Sequence, residues 1–203
     1  MPGIQYVMIR TPLALIPYLI AAAMVAAGLL WHLGDALPGA NPVVGEASIG
    51  GPFILTDQDG KLRRAADFRG RFMLVYFGYS NCPDICPTTL AVMADALERL
   101  GPGAERVVPI FITIDPERDT THVLKSYLKA FGPRFIGLTA DAKAVAAAAH
   151  AWRVYYRKRP LGGGYAMDHS SHIYLMGPDG RFIAVYDETL GPDGLAQALK
   201  KQI

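Results

Sequence analysis

Residues Phe72 to Pro87 read FMLVYFGYSNCPDICP. The first eight are almost continuously apolar rather than alternating, the pattern of a strand covered on both faces and therefore central and parallel. Leu90, Met93, Leu97 and Leu100 then recur at helical spacing until Gly101-Pro102-Gly103 ends the helix. A second apolar run, VVPIFITI from Val107 to Ile114, supplies the next central strand. Strand, helix, strand in this order places Cys82 and Cys86 beyond the carboxyl end of a buried strand and at the opening of a helix. An open α/β sheet keeps its binding site at that place.

Working outward, Phe53 to Leu55, the turn Asp57-Gln58-Asp59-Gly60 and Lys61-Leu62 read as an N-terminal hairpin. On the other side a helix is expected from about Thr120 to Phe131, with Asp119 as N-cap and Gly132-Pro133 as the stop. Phe135 to Leu138 is a short strand, Asp141 caps an alanine-rich helix through about Trp152, and Val154-Tyr155-Tyr156 is extended. Beyond the glycine turn 162–164, His172 to Met176 and Arg181 to Tyr186 flank Gly177-Pro178-Asp179-Gly180 as an antiparallel hairpin. A helix near Asp193 to Lys200 ends the chain. This is an α/β order, that of a thioredoxin-like fold with an N-terminal hairpin and an insertion, over residues 51–203.

The preceding residues differ in character. Between Thr11 and Gly34 there is no Asp, Glu, Lys or Arg, and such a run can cross ~30 Å of hydrocarbon as one helix. Residues 1–10 form a short N-terminus, 11–34 a transmembrane anchor, and the Gly- and Pro-rich 35–50 a tether. Arg10 before the run and Asp35 after it put the N-terminus in the cytoplasm and the folded domain outside. A bacterial inner membrane protein of one pass, with its domain in the periplasm, is the expectation. A cleaved signal peptide ending near Ala36 to Ala40 is the rival reading. With 19% charged residues and a formal net charge of +2, no basic excess would draw the chain to nucleic acid.

The two cysteines carry the chemistry. In an exported domain the ordinary explanation of such a pair is one structural disulfide, and a redox dithiol is the next. Their location favours more, because helix N-termini ease thiol ionisation, and thiolates both exchange disulfides and bind soft metals. Pro83 and Pro87 each disfavour the helical conformation in the cysteine before them, so a turn feeding a helix is expected.

Three stretches extend this reading: Tyr79-Ser80-Asn81-Cys82-Pro83-Asp84-Ile85-Cys86-Pro87, Thr113-Ile114-Asp115-Pro116-Glu117-Arg118-Asp119-Thr120, and Asp168-His169-Ser170 with Tyr174-Leu175 and Pro178-Asp179-Gly180. With them the chain resembles the SCO/SenC family of copper proteins from about Gly51 onward. The resemblance implies that Cys82, Cys86 and His169 bind one copper ion. It implies delivery of copper to the binuclear copper centre of cytochrome c oxidase subunit II, with a periplasmic copper donor upstream. The alternative it allows is a thiol-disulfide reductase using Cys82 and Cys86 as its redox pair to keep the oxidase cysteines reduced. The donor chemistry agrees: two thiolates favour Cu(I), an imidazole accommodates Cu(II) as well, and three ligands leave the open site of a metal meant to be passed on. A peroxiredoxin shares the fold, but Tyr79 stands where its usual threonine would be.

The remaining candidates have ordinary explanations beside the sharp ones. Asp168 is expected to orient an imidazole or shape its turn. Asp115 reads as a loop acid before a proline, Met167 as packing rather than a soft donor, and Asp84 either raises the thiol pKa by like charge or sits solvated on the turn. His32, His122 and His150 lack partners nearby in sequence, and His172 is not carried over as a ligand.

Overall fold

The computed structural model of the chain describes residues 16–35 and 49–203. Two compact units, Met1–Glu46 and Ala47–Ile203, divide it. The first contains helix α1 (Ile16–Asp35), on which Tyr18, Ile20, Met24 and Val25 are exposed. Among the described residues, no helix is long and apolar enough to cross a membrane. The transmembrane anchor expected over 11–34 coincides with α1 only from Ile16 onward. It falls partly on residues outside those described, as do 1–10 and most of the tether 35–50.

The second unit is built on a seven-stranded sheet. Its elements in chain order are β1 (Ile54–Asp57), β2 (Leu62–Arg64), β3 (Phe72–Gly78), α2 (Ile85–Leu100), β4 (Val107–Thr113), α3 (Thr121–Leu128), β5 (Ile136–Thr139), α4 (Ala142–Ala151), β6 (Tyr156–Leu161), β7 (Gly164–His169), β8 (Ile173–Met176), β9 (Phe182–Tyr186) and α5 (Gly191–Lys200). The spatial order is β2-β1-β5-β4-β3-β8-β9, with β6 and β7 as a separate two-stranded sheet. β3 and β4 pair in parallel from Phe72 opposite Val107 to Gly78 opposite Thr113. All seven residues of each are buried, as their unbroken apolar runs require. β8 joins β3 antiparallel on one side, and β5 joins β4 in parallel on the other.

Helix α2 turns Cys86, Leu90, Met93, Leu97 and Leu100 inward, at spacings of three and four that keep one face against the sheet. α5 lies alongside α2 with Leu195, Ala196 and Leu199 buried. Each such large side chain removed from water stabilises by roughly 1.5–3 kcal/mol, so the floor of the cysteine site is among the firmest parts of the unit.

Two expectations change. Thr120, not Asp119, caps α3, its side chain accepting the Val123 N–H. Asp119 is fully buried because Ser80 and Thr113 offer it better donors. The insertion is also more regular than expected: 156–169 forms the β6–β7 hairpin, with Arg157 opposite Asp168 and Tyr156 opposite His169.

Candidate metal centre

Three elements converge at the carboxyl end of β3. Tyr79 to Asp84 form the turn that leaves the strand, and α2 begins at Ile85. Cys82 sits in that turn and Cys86 in the first helical turn, so a turn does feed the helix. Pro87 costs α2 little, since first-turn N–H groups have no intrahelical acceptor. His169 arrives from the far side as the last residue of β7.

The ligand atoms of Cys82, Cys86 and His169 all lie within 4.8 Å of one another. Among the described residues no other set of three His, Cys, Asp or Glu side chains is so arranged. The Cys86 sulfur is 3.4 Å from His169 Nε2, and the Cys86 N–H points at the Cys82 sulfur at 3.5 Å. On its other side the imidazole places Nδ1 2.9 Å from the Ser170 carbonyl oxygen. A carbonyl only accepts, so Nδ1 carries hydrogen, and Nε2 is the ring nitrogen turned toward the sulfurs. The Tyr79 and Tyr76 rings meet the imidazole edge-on at 5.8 and 6.3 Å and fix its plane.

Both cysteines are free thiols, Cys86 fully buried and Cys82 9% exposed. The Cys86 side chain beside it holds the Cys82 thiol well below the ordinary range. His169 and the N–H groups of Asp84 and Cys86 assist, against the effect of burial. Cys86 is pushed up, first by its contact with Cys82 and then by burial. One thiolate and one thiol at neutral pH is the consequence. Binding a soft cation would neutralise the thiolate and displace the second proton.

Residues around the centre hold it in place. Asp119 accepts the Ser80 N–H at 3.0 Å, the Ser80 hydroxyl and the Thr113 hydroxyl at 2.6 Å, tying the turn before Cys82 to the end of β4. Arg118 pairs with Asp115, donates to the Tyr165 carbonyl at 3.0 Å and stacks 3.8 Å over the Tyr165 ring. The Tyr165 hydroxyl donates to Asp115 at 2.7 Å, and Lys158 pairs with Glu117 at 2.7 Å. These contacts tie the hairpin that carries His169 to the β4–α3 loop.

Of the remaining candidates, the reading of Asp168 is corrected. Asp168 neither orients the imidazole nor shapes a turn; it pairs with Arg159 at 2.9 Å and Arg157 at 3.3 Å across the hairpin. Asp115 is the loop acid before Pro116, and it is buried under Arg118 and Tyr165. Met167 is packed in the core, Asp84 is exposed, and His172 packs edge-on against Tyr174 outside the metal set. His122 and His150 also lie outside that set, and the side chain of His32 lies outside the described residues. Sequence reasoning missed Tyr76, Gly78, Asp119 and Arg118. For Gly78 a signal existed, a glycine inside an apolar strand, which marks close approach of another group.

The sequence model described as SCO1/SenC matches residues 42–203. The mitochondrial protein SCO2 homolog of Homo sapiens is 40% identical over 163 residues, covering 78% of this chain and 61% of that protein, so the chain matches about three fifths of that relative's length. The structure of Bradyrhizobium japonicum ScoI with copper bound is 43% identical, superimposes with a TM-score of 0.72, and covers 77% of this chain and 100% of that one. BsSco, in which a disulfide switch is identified and which is a member of the Sco family of cytochrome c oxidase assembly proteins, is 27% identical with a TM-score of 0.62. It covers 75% of this chain and 92% of that one.

Proposed function

Because the chain belongs to the SCO1/SenC family, matched over residues 42–203, we propose that it is a copper metallochaperone serving cytochrome c oxidase. Cys82, Cys86 and His169 hold one copper ion as cargo. The observation that carries this reading is the meeting of two sulfurs and one ring nitrogen within 4.8 Å. Two thiolates and an imidazole suit Cu(I) and also admit Cu(II). With three donors rather than four, and Cys82 at the surface edge of the site, an incoming cysteine can take the vacant position and draw the ion away. The acceptor is the binuclear copper centre of oxidase subunit II, supplied through this chain from a periplasmic copper donor.

In the same proposal, the charge-free run Thr11 to Gly34 anchors the chain in a bacterial inner membrane, with residues 51–203 on the periplasmic side. A fusion of alkaline phosphatase after Ile203 should be active in intact cells. Inactivity there would refute the orientation.

Copper titration tests the main reading. One equivalent should bind in competition with a Cu(I) chelator, and Cys82→Ser, Cys86→Ser and His169→Ala should each weaken it by at least about 100-fold, the scale of a lost ligand. Equal chelator competition by wild type and all three variants would refute it.

The disulfide switch in BsSco supports a second reading, a thiol-disulfide reductase. The Cys82 thiolate would attack a partner disulfide, releasing one partner thiolate and leaving a mixed disulfide. Deprotonated Cys86 would then attack Cys82, freeing the partner dithiol and forming the Cys82–Cys86 disulfide. That reading needs no imidazole ligand, so His169→Ala would keep oxidase assembly intact. The chaperone reading expects it to fail.

A further inference from the structure

Strand β3 contributes to the metal site although it carries no ligand. Tyr76 and Gly78 both face the Cys86 sulfur. The Tyr76 hydroxyl is 3.7 Å from that sulfur, and both residues are fully buried, so no water competes for the hydroxyl's proton. A buried hydroxyl requires an acceptor; the sulfur is within reach of it, as is the Thr89 side chain, whose own hydroxyl donates to the Ile85 carbonyl. A Cβ on Gly78 would lie 2.9 Å from the same sulfur, 2.9 Å from Tyr76 Cε1 and 3.0 Å from Phe111 Cε2. The first two are distances that real Cβ atoms essentially never show, and the third is tighter than nine in ten real Cβ contacts. None of these neighbours has room to move, since Tyr76, Phe111 and Cys86 are completely enclosed. A β3 residue of ordinary size at 78 would push the sulfur out of its place.

We propose that Tyr76 and Gly78 are positioning residues of the copper site: the glycine leaves the space in which the Cys86 sulfur sits, and the tyrosine hydroxyl donates a hydrogen bond to that sulfur that biases the site toward Cu(I). The inference rests on the copper reading above. A donor on a thiolate withdraws electron density from it. Sulfur donation stabilises Cu(II) more than Cu(I), so hydrogen bonding around a ligating sulfur raises the potential of the bound metal. Losing the bond therefore shifts preference toward Cu(II). Gly78 acts differently, through sulfur placement, and its loss weakens binding of both valences.

The test uses the full chain, wild type beside Tyr76→Phe and Gly78→Ala, each loaded with Cu(I) and with Cu(II). The readouts are competition affinities and the sulfur-to-copper(II) charge-transfer band. In Tyr76→Phe, which keeps the ring and removes only the hydroxyl, the Cu(II)-to-Cu(I) affinity ratio should rise about tenfold, the scale of one hydrogen bond to a charged group. That corresponds to a potential about 59 mV lower for one electron, and the band should shift while one copper still binds. In Gly78→Ala both affinities should fall about tenfold or more. A Tyr76→Phe ratio and band identical to wild type would overturn the hydrogen-bond claim. Wild-type affinities in Gly78→Ala would overturn the placement claim. If one variant does not fold, the other decides its own claim, and loss of fold on adding a single methyl at 78 itself supports the enclosed geometry. If wild type binds no copper through sulfur, showing no such band, the copper reading falls and this inference with it. A wild-type band with an unaltered Tyr76→Phe leaves the copper reading standing alone.

Discussion

Cys82 accepts the N–H at the head of α2 and lies beside both Cys86 and His169, so its ionised form is favoured where that of Cys86 is opposed. A thiol attacks only as thiolate, and an unperturbed one, with pKa about 8.5, loses reactivity roughly tenfold per pH unit below that value. Here the shift is downward, so the thiolate persists as pH falls until its own depressed value is reached. Iodoacetamide labelling of the copper-free chain should proceed at Cys82 with a rate almost flat between pH 5 and 8. Cys86 should stay unlabelled. Peptide mass spectrometry over that range decides; a rate climbing tenfold per unit, or equal labelling of the two, would contradict the assignment. The cysteine pair was legible because residue type, spacing and place in the strand order agreed, and His169 because its stretch resembles that of the SCO/SenC family. Asp119 was not, because an acid just before a helical pattern reads as a cap, and only the fold shows Ser80 and Thr113 beside it. Asp119→Ala leaves those donors without their acceptor, which costs roughly 1–3 kcal/mol. Chemical denaturation should show that loss, and copper affinity should drop with it as the turn before Cys82 loosens; unchanged stability would refute the bracing role.

At the scale of elements, the hairpin β6–β7 decides whether the third donor is present. It shares no strand pairing with the main sheet and is held in part through Arg118, whose guanidinium joins Asp115, the Tyr165 carbonyl and the Tyr165 ring. Its sequence concealed it. Residues 156–161, YRKRPL, are mostly exposed and contain a proline, so neither burial alternation nor strand propensity marks them, although Pro160 is acceptable in a strand outside the main sheet. The central strands were legible for the opposite reason, being buried on both faces. Arg118→Ala strips a nearly buried Asp115 carboxylate of its cation. Breaking a fully buried pair costs about 3–5 kcal/mol, and with Arg118 28% exposed the loss should be nearer 2 kcal/mol. His169 should then be held less firmly, and copper affinity should fall several-fold while both thiols stay in place. Denaturation midpoints and chelator competition measure both effects. Arg118→Lys, which cannot reproduce the forked contacts, should restore little, and full restoration would show that charge alone suffices.

For the folded unit as a whole, the three donors connect parts that are distant along the chain: Cys86 and His169 are 83 residues apart and belong to different sheets' surroundings. The pairing of β1 with β5, and the placing of β5 beside β4, are long-range choices that local pattern does not encode, so the strand order could be anticipated only by fold analogy. Because an ion bound by all three residues joins the α2 opening to the end of the hairpin, unfolding must release it. At free copper 100-fold above its dissociation constant the folded state gains about 2.7 kcal/mol, which for a unit of this size raises the melting temperature by roughly 5–10 °C. Scanning calorimetry of the reduced full chain with buffered Cu(I) should show that rise. It should nearly vanish in both Cys82→Ser and His169→Ala, since a site weakened about 100-fold is only half filled at that copper level. An undiminished rise in His169→Ala would mean that the ion leaves the hairpin free, and that two sulfurs alone account for the coupling of copper to the fold.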